Sequence, residues 1–185
     1  VGYHIVNLAV HLITALFIFL VFRDTLVLTK EKHPGLFIVD STSSLAVACA
    51  AALIWLVHPL ATQSVTYLVQ RMTSMAAMFS VMALYCYIRA RLATVRGTRW
   101  ALYATGVLCW VLALGSKETA ATLPFFVFLY EWYFFRAMDP VWIKRRALLL
   151  AGLAALGIVM VVYFLGRNPL DWIMFGYQFR DFSFP

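Results

Sequence analysis

From His4 to Phe22 the chain carries no acidic residue, lysine or arginine, and apolar side chains fill most positions. At 1.5 Å rise per residue such a run crosses roughly 30 Å of hydrocarbon as a helix. Comparable runs follow at 43–57, 72–88, 100–115, 119–135 and 147–165, the second and fourth being short. Their apolar residues are continuous where the strands of a membrane barrel would alternate, so the pattern predicts α-helix. Turn residues punctuate three connections, at His33-Pro34-Gly35, Arg96-Gly97-Thr98 and Asp139-Pro140. Pro59 should end the second run, because proline removes an amide donor and biases His58 away from helix. The expectation is an all-α membrane protein with about six transmembrane helices forming a core over 1–165. Residues 166–185 follow as an outer-face interfacial segment: Gly166 and Pro169 break the helix, and Asp171, Arg180 and Asp181 alternate with aromatics that suit headgroup depth. A start on Val1 and an abrupt aromatic finish make the chain read as incomplete at both ends.

Composition agrees: 64% of the 185 residues are apolar and 12% charged, about half the charge a soluble coat needs. The net charge of +7 would suggest nucleic acid in a soluble protein, but position explains it here. With six alternating crossings, one face receives Arg23, Lys30, Lys32, Arg89, Arg91, Arg96, Arg99, Arg136, Lys144, Arg145 and Arg146. The other receives only Arg71, Lys117, Arg167 and Arg180. The positive-inside rule makes the basic face cytoplasmic and puts the start of the chain outside, and no nucleic-acid partner is expected. Cys49, Cys86 and Cys109 lie inside apolar runs without metal-ligand spacing and read as core thiols.

Candidate chemistry gathers on the outer face. His58-Pro59 opens a polar stretch that ends in Gln70-Arg71, where Arg71 is either a bidentate phosphate ligand or an anchor snorkelling to the headgroups. Between two apolar runs, Gly115-Ser116-Lys117-Glu118-Thr119 carries a Lys-Glu pair that either neutralises itself or belongs to a site. Ser116 fits a helix N-cap and Glu118 the first turn, whereas the Lys117 cation opposes the helix dipole there. His4, Asn7, His11 and Thr14 share one stripe of the first helix. Its two histidines stand about 10 Å apart along the axis, which favours hydrogen bonds between helices over a metal site. No phosphate loop, nucleophile elbow or pair of outer carboxylates is present, and no metal or cofactor is expected.

Four pieces of the sequence carry a resemblance: Gly2-Tyr3-His4-Ile5-Val6-Asn7-Leu8 with His11; His58-Pro59 with Ser64-Val65-Thr66-Tyr67 and Gln70-Arg71; Ser116-Lys117-Glu118-Thr119 with Thr122-Leu123-Pro124; and Leu129-Tyr130-Glu131-Trp132. In order and spacing the chain resembles multi-spanning glycosyltransferases of the GT-C type, namely bacterial membrane proteins with C-terminal tetratricopeptide repeats and the animal transmembrane, tetratricopeptide-repeat O-mannosyltransferases. The resemblance implies an inverting transfer of sugar from a polyprenyl-phosphate donor, on the extracytoplasmic face, to a protein or glycan acceptor. It makes the first helix here the family's second. The acidic external loop with the catalytic residue and the repeats would lie beyond these residues, so the catalytic residue is unknown. Carried over residue by residue, Arg71, Lys117 and Glu118, supported by His58 and Gln70, are candidates for the donor-phosphate or acceptor side of the site. The implied setting is the bacterial inner (plasma) membrane, with membrane lipids, the lipid-linked sugar co-substrate and the acceptor as partners. A second class of function is a non-catalytic structural or accessory subunit packed against other membrane subunits through its aromatic surface. A transporter fits least, since no broken helix pair repeats in inverted form.

Overall fold

The computed structural model describes residues 2–32, 41–61, 70–147, 151–152 and 155. Every described element is helical, and the chain divides into two units, Val1–Ala137 and Met138–Pro185.

In the first unit, helix α1 (Gly2–Lys32) runs for 31 residues, about 46 Å. It is described as far as Lys32, and the sequence that follows, His33-Pro34, disfavours helix at the residue preceding proline. Helix α2 (Ser41–Leu56) has 16 residues and ends where Pro59 requires: Val57 makes the last 3.0 Å bond back to Leu53, and Pro59–Ala61 turns as a 3-10 helix. Helix α3 (Arg71–Leu92) and helix α4 (Arg96–Ser116) form an antiparallel hairpin across a three-residue connection. The Arg99 guanidinium closes that turn on the Ala93 carbonyl, at 2.7 Å from its nearer nitrogen. Past the extended residue Lys117, Glu118–Thr122 forms a 3-10 turn, helix α5 covers Leu123–Tyr130 with Pro124 in its first turn, and Glu131–Phe135 widens into a π-helical segment.

Three helices, over His4–Glu31, Arg71–Leu92 and Arg96–Ser116, are long and apolar enough to cross a membrane. Among the described residues the expectation of about six is met only to that extent. The second run makes a helix of about 24 Å, shorter than the hydrocarbon by itself. The fifth is divided among 3-10, α and π geometry, and most of 147–165, like 166–185, lies outside the described residues.

Helix α1 packs between α2 and α3, and α3 between α1 and α4. Small residues allow α3 and α4 to approach closely: Ala83, Cys86 and Ala90 on one face Cys109 and Ala113 on the other, all buried. At Gly106 an added Cβ would stand 3.4 Å from both the Ala83 carbonyl and the Cys86 Cβ. Outward, Leu8, Leu12 and Leu16 on α1, Leu53 and Ile54 on α2, and Val107, Leu108 and Val111 on α4 are exposed. Large apolar side chains facing out along several helices are compatible with lipid surroundings and poorly suited to water.

The second unit contains the short helix α6 (Pro140–Arg145), begun by Asp139, whose carboxylate accepts the Val141 amide at 2.8 Å. The Arg146 guanidinium lies over the Trp142 ring.

Candidate functional site

Alternation of the helices gives the first unit two polar ends. At one end α1 begins, α2 and α4 finish and α3 begins. There the Lys117 ammonium donates to the Thr73 hydroxyl at 2.9 Å, which explains why a cation sits at the start of the 3-10 turn. Thr73 and Ser74, with His11, Thr14 and Trp55, line a cavity of about 80 Å³. Space of that size admits two or three waters or one small polar group. Thr14 and Ser74 each spend their proton on a carbonyl one turn back, those of Val10 and Gln70, so toward the cavity they present lone pairs. The His11 ring stacks on Trp55 at 4.8 Å between centroids, and its Nε2 lies 3.0 Å from the carbonyl of Leu56, the last residue of α2. That nitrogen donates to a carbonyl that the helix end leaves unpaired, so the polar stripe does join helices through His11. Asn7 and Thr14 are buried with it, whereas His4 is exposed.

The five sequence candidates fall at this end. Arg71 is the first residue of α3, half-buried, one turn from Ser74 and two residues from the Thr73 that holds Lys117. Gln70 occupies the N-cap position of α3 without a side-chain cap bond. Glu118 is exposed beside Lys117, and His58 is exposed two residues beyond Leu56. One expectation is corrected: Ser116 is the last residue of α4, its hydroxyl donating back to Leu112 at 2.9 Å, and Lys117 takes the N-cap position of the following turn. Of the cysteines, Cys86 and Cys109 are buried and Cys49 is exposed. Among the described residues no group of three His, Cys, Asp or Glu side chains could hold a metal ion.

No protein-family model, curated protein or solved structure matches the chain. Its chemistry therefore has to be read from its own geometry.

The opposite end holds a cluster that the sequence reading left out. Glu131, 8% exposed, accepts two bonds from Arg91, both 2.9 Å, one of 2.7 Å from the Tyr87 hydroxyl and one of 3.0 Å from Arg136. The Arg136 amide also reaches the Glu131 carbonyl at 3.0 Å, so the five-residue spacing of the π turn matches the side-chain pair. Arg91 stands over the Phe135 ring. Nearby in the same unit, Asp24, 5% exposed, receives Arg23 at 2.7 Å and Arg89 at 3.5 Å, and the Thr25 and Tyr130 hydroxyls bond to each other. These contacts pin α1, α3 and the end of α5 together. Partners 65 and 40 positions apart leave no local trace in a sequence; the available signal was a carboxylate isolated within an apolar stretch.

Proposed function

We propose that the chain is the membrane core of a glycosyltransferase that uses a polyprenyl-phosphate-linked sugar on the extracytoplasmic face. The observation that carries this is the Lys117–Thr73 bond. Through it, two cations 46 positions apart in sequence come to one end of the helical bundle, beside a small cavity lined by hydroxyls and an imidazole. A lipid-linked phosphate is the ligand such a group suits. Lys117 supplies a point charge, Arg71 a bidentate fork, and Thr73 a hydroxyl proton. In this mechanism the two cations neutralise the departing lipid phosphate, and an acidic residue outside this segment takes the proton from the acceptor hydroxyl.

The second reading, a non-catalytic subunit, draws on α4. Only 11% of its apolar window is buried, so most of that helix is available to lipid or to a neighbouring subunit.

The test is sugar transfer by the full-length protein from a defined polyprenyl-phosphate donor. Arg71→Ala and Lys117→Ala should each lower donor use tenfold to a hundredfold, in line with about 1.5–3 kcal/mol for a charge-assisted bond. Arg71→Lys should recover only part of it. Normal transfer by both alanine variants removes the site, and no transfer by the wild-type protein with any such donor favours the subunit.

A further inference from the structure

A second cavity, of about 250 Å³, lies among α3, α4 and α5, lined by Tyr87, Tyr103, Gly106, Val107, Trp110 and Val127 among others. We propose that it holds one hydrocarbon chain of an anionic phospholipid, whose phosphate is met by the arginines beyond the two tyrosines. This does not rest on the transferase reading.

The walls are carbon almost throughout, and the Tyr87 hydroxyl is taken up by Glu131. Apolar cavities stay dry, and an empty one forfeits the dispersion contacts of its lining. Val107 is 58% exposed, so the groove opens on the flank of the bundle, where the exposed leucines and valines call for lipid. The volume is below the roughly 300–1,000 Å³ of clefts that bury drug-sized ligands, which suits a single chain.

Charge selects the headgroup. Tyr87 lies one turn before Arg91 on α3, and Tyr103 one turn after Arg99 on α4, so both walls lead to guanidiniums. Arg91 and Arg136 both bond the carboxylate of Glu131. Arg99 adds a positive charge, because its guanidinium donates to the neutral Ala93 carbonyl. Asp24 is already met by two arginines, Arg23 and Arg89. An anionic headgroup is thus favoured over a zwitterionic one. On the orientation expected from the basic residues, this is the cytoplasmic leaflet, where basic segments draw anionic lipids.

Trp110 lines the groove and reports on its occupant. The chain is placed in phosphatidylcholine nanodiscs, and phosphatidylglycerol or phosphatidylcholine brominated on the acyl chain is added at equal mole fraction. The signal is the quenching of the fluorescence component that Trp110→Phe removes. Phosphatidylglycerol should quench it at about fivefold lower mole fraction, the factor corresponding to one basic residue near an anionic surface. Val107→Phe, at the exposed mouth, should reduce quenching by both lipids, and Arg91→Gln with Arg99→Gln should abolish the difference between them. Equal quenching by the two lipids, a preference unchanged in the double variant, or a Trp110 that neither lipid reaches because protein covers the groove would each overturn the proposal. Should the double variant fail to fold, native mass spectrometry of the wild-type chain decides: phosphatidylglycerol must be retained on detergent dilution when phosphatidylcholine is lost, and loss of both overturns it.

Discussion

Glu131 gathers three side chains onto one carboxylate, and its removal should be felt out of proportion to its size. Glu131→Gln keeps the shape but removes the negative charge that Arg91 and Arg136 share. Breaking a fully buried pair costs about 3–5 kcal/mol; because Arg91 and Arg136 are 30% and 39% exposed, the expected loss is about 2–3 kcal/mol. Arg136→Gln should cost less, about 0.5–1 kcal/mol, since Arg91 and Tyr87 still hold the carboxylate. Unfolding titrations in mixed micelles give both values, and an Arg136 variant costlier than the Glu131 variant would contradict the assignment. Ala137 poses the opposite case. Its φ of 49° is a conformation that glycine adopts without penalty, so Ala137→Gly should be neutral or stabilise by up to about 1 kcal/mol, read as a midpoint shift in the same titration. Of these residues the sequence exposed little: Glu131 stood in a motif without an assigned role, and nothing local ties it to Arg91.

Helices were more legible than their interiors. The runs at 4–22, 72–88 and 100–115 foretold α1, α3 and α4, each of which extends beyond its run into charged or polar residues such as Arg23, Arg91 and Arg96. An uncharged run marks what lipid tolerates, while a helix continues until a proline or an extended residue stops it. The stretch 119–135 was read as one span because apolarity is blind to whether backbone bonds close at three, four or five residues. Pro124 and the Glu131–Arg136 pair decide that division, and the second of these is visible only in the fold. The contact between α3 and α4 supplies a graded test at Gly106. Gly106→Ala places a Cβ at the edge of tolerated distance and should stay within about 1 kcal/mol of wild type, gained helix propensity offsetting crowding. Gly106→Ile should destabilise by about 1–3 kcal/mol through overpacking. Equal stability of the two variants in thermal denaturation would mean that the helices are not in close contact there.

At the scale of the bundle in the first unit, Arg23, Arg89, Arg91 and Arg136 meet at one end and Lys117 and Arg71 lie at the other, the division expected for these six. What the sequence could not supply was which side chains touch, because that depends on helix rotation and on pairings between distant segments. If the bundle spans a bilayer with its basic end inside, Arg96→Cys and Glu118→Cys, in a background without native cysteines, should react oppositely with an impermeant maleimide on intact cells. Labelling is expected at 118 and not at 96, and the reverse result would invert the orientation. The clamp on Glu131 also bears on how the protein is made. A ribosome delivers Arg91 forty residues ahead of Glu131. When the carboxylate emerges, its partner has therefore already been made, which allows the clamp to close in chain order, hairpin first and broken segment second. A nascent chain lacking α3 would leave the Glu131 carboxylate without Arg91 and Tyr87, the partners that α3 supplies.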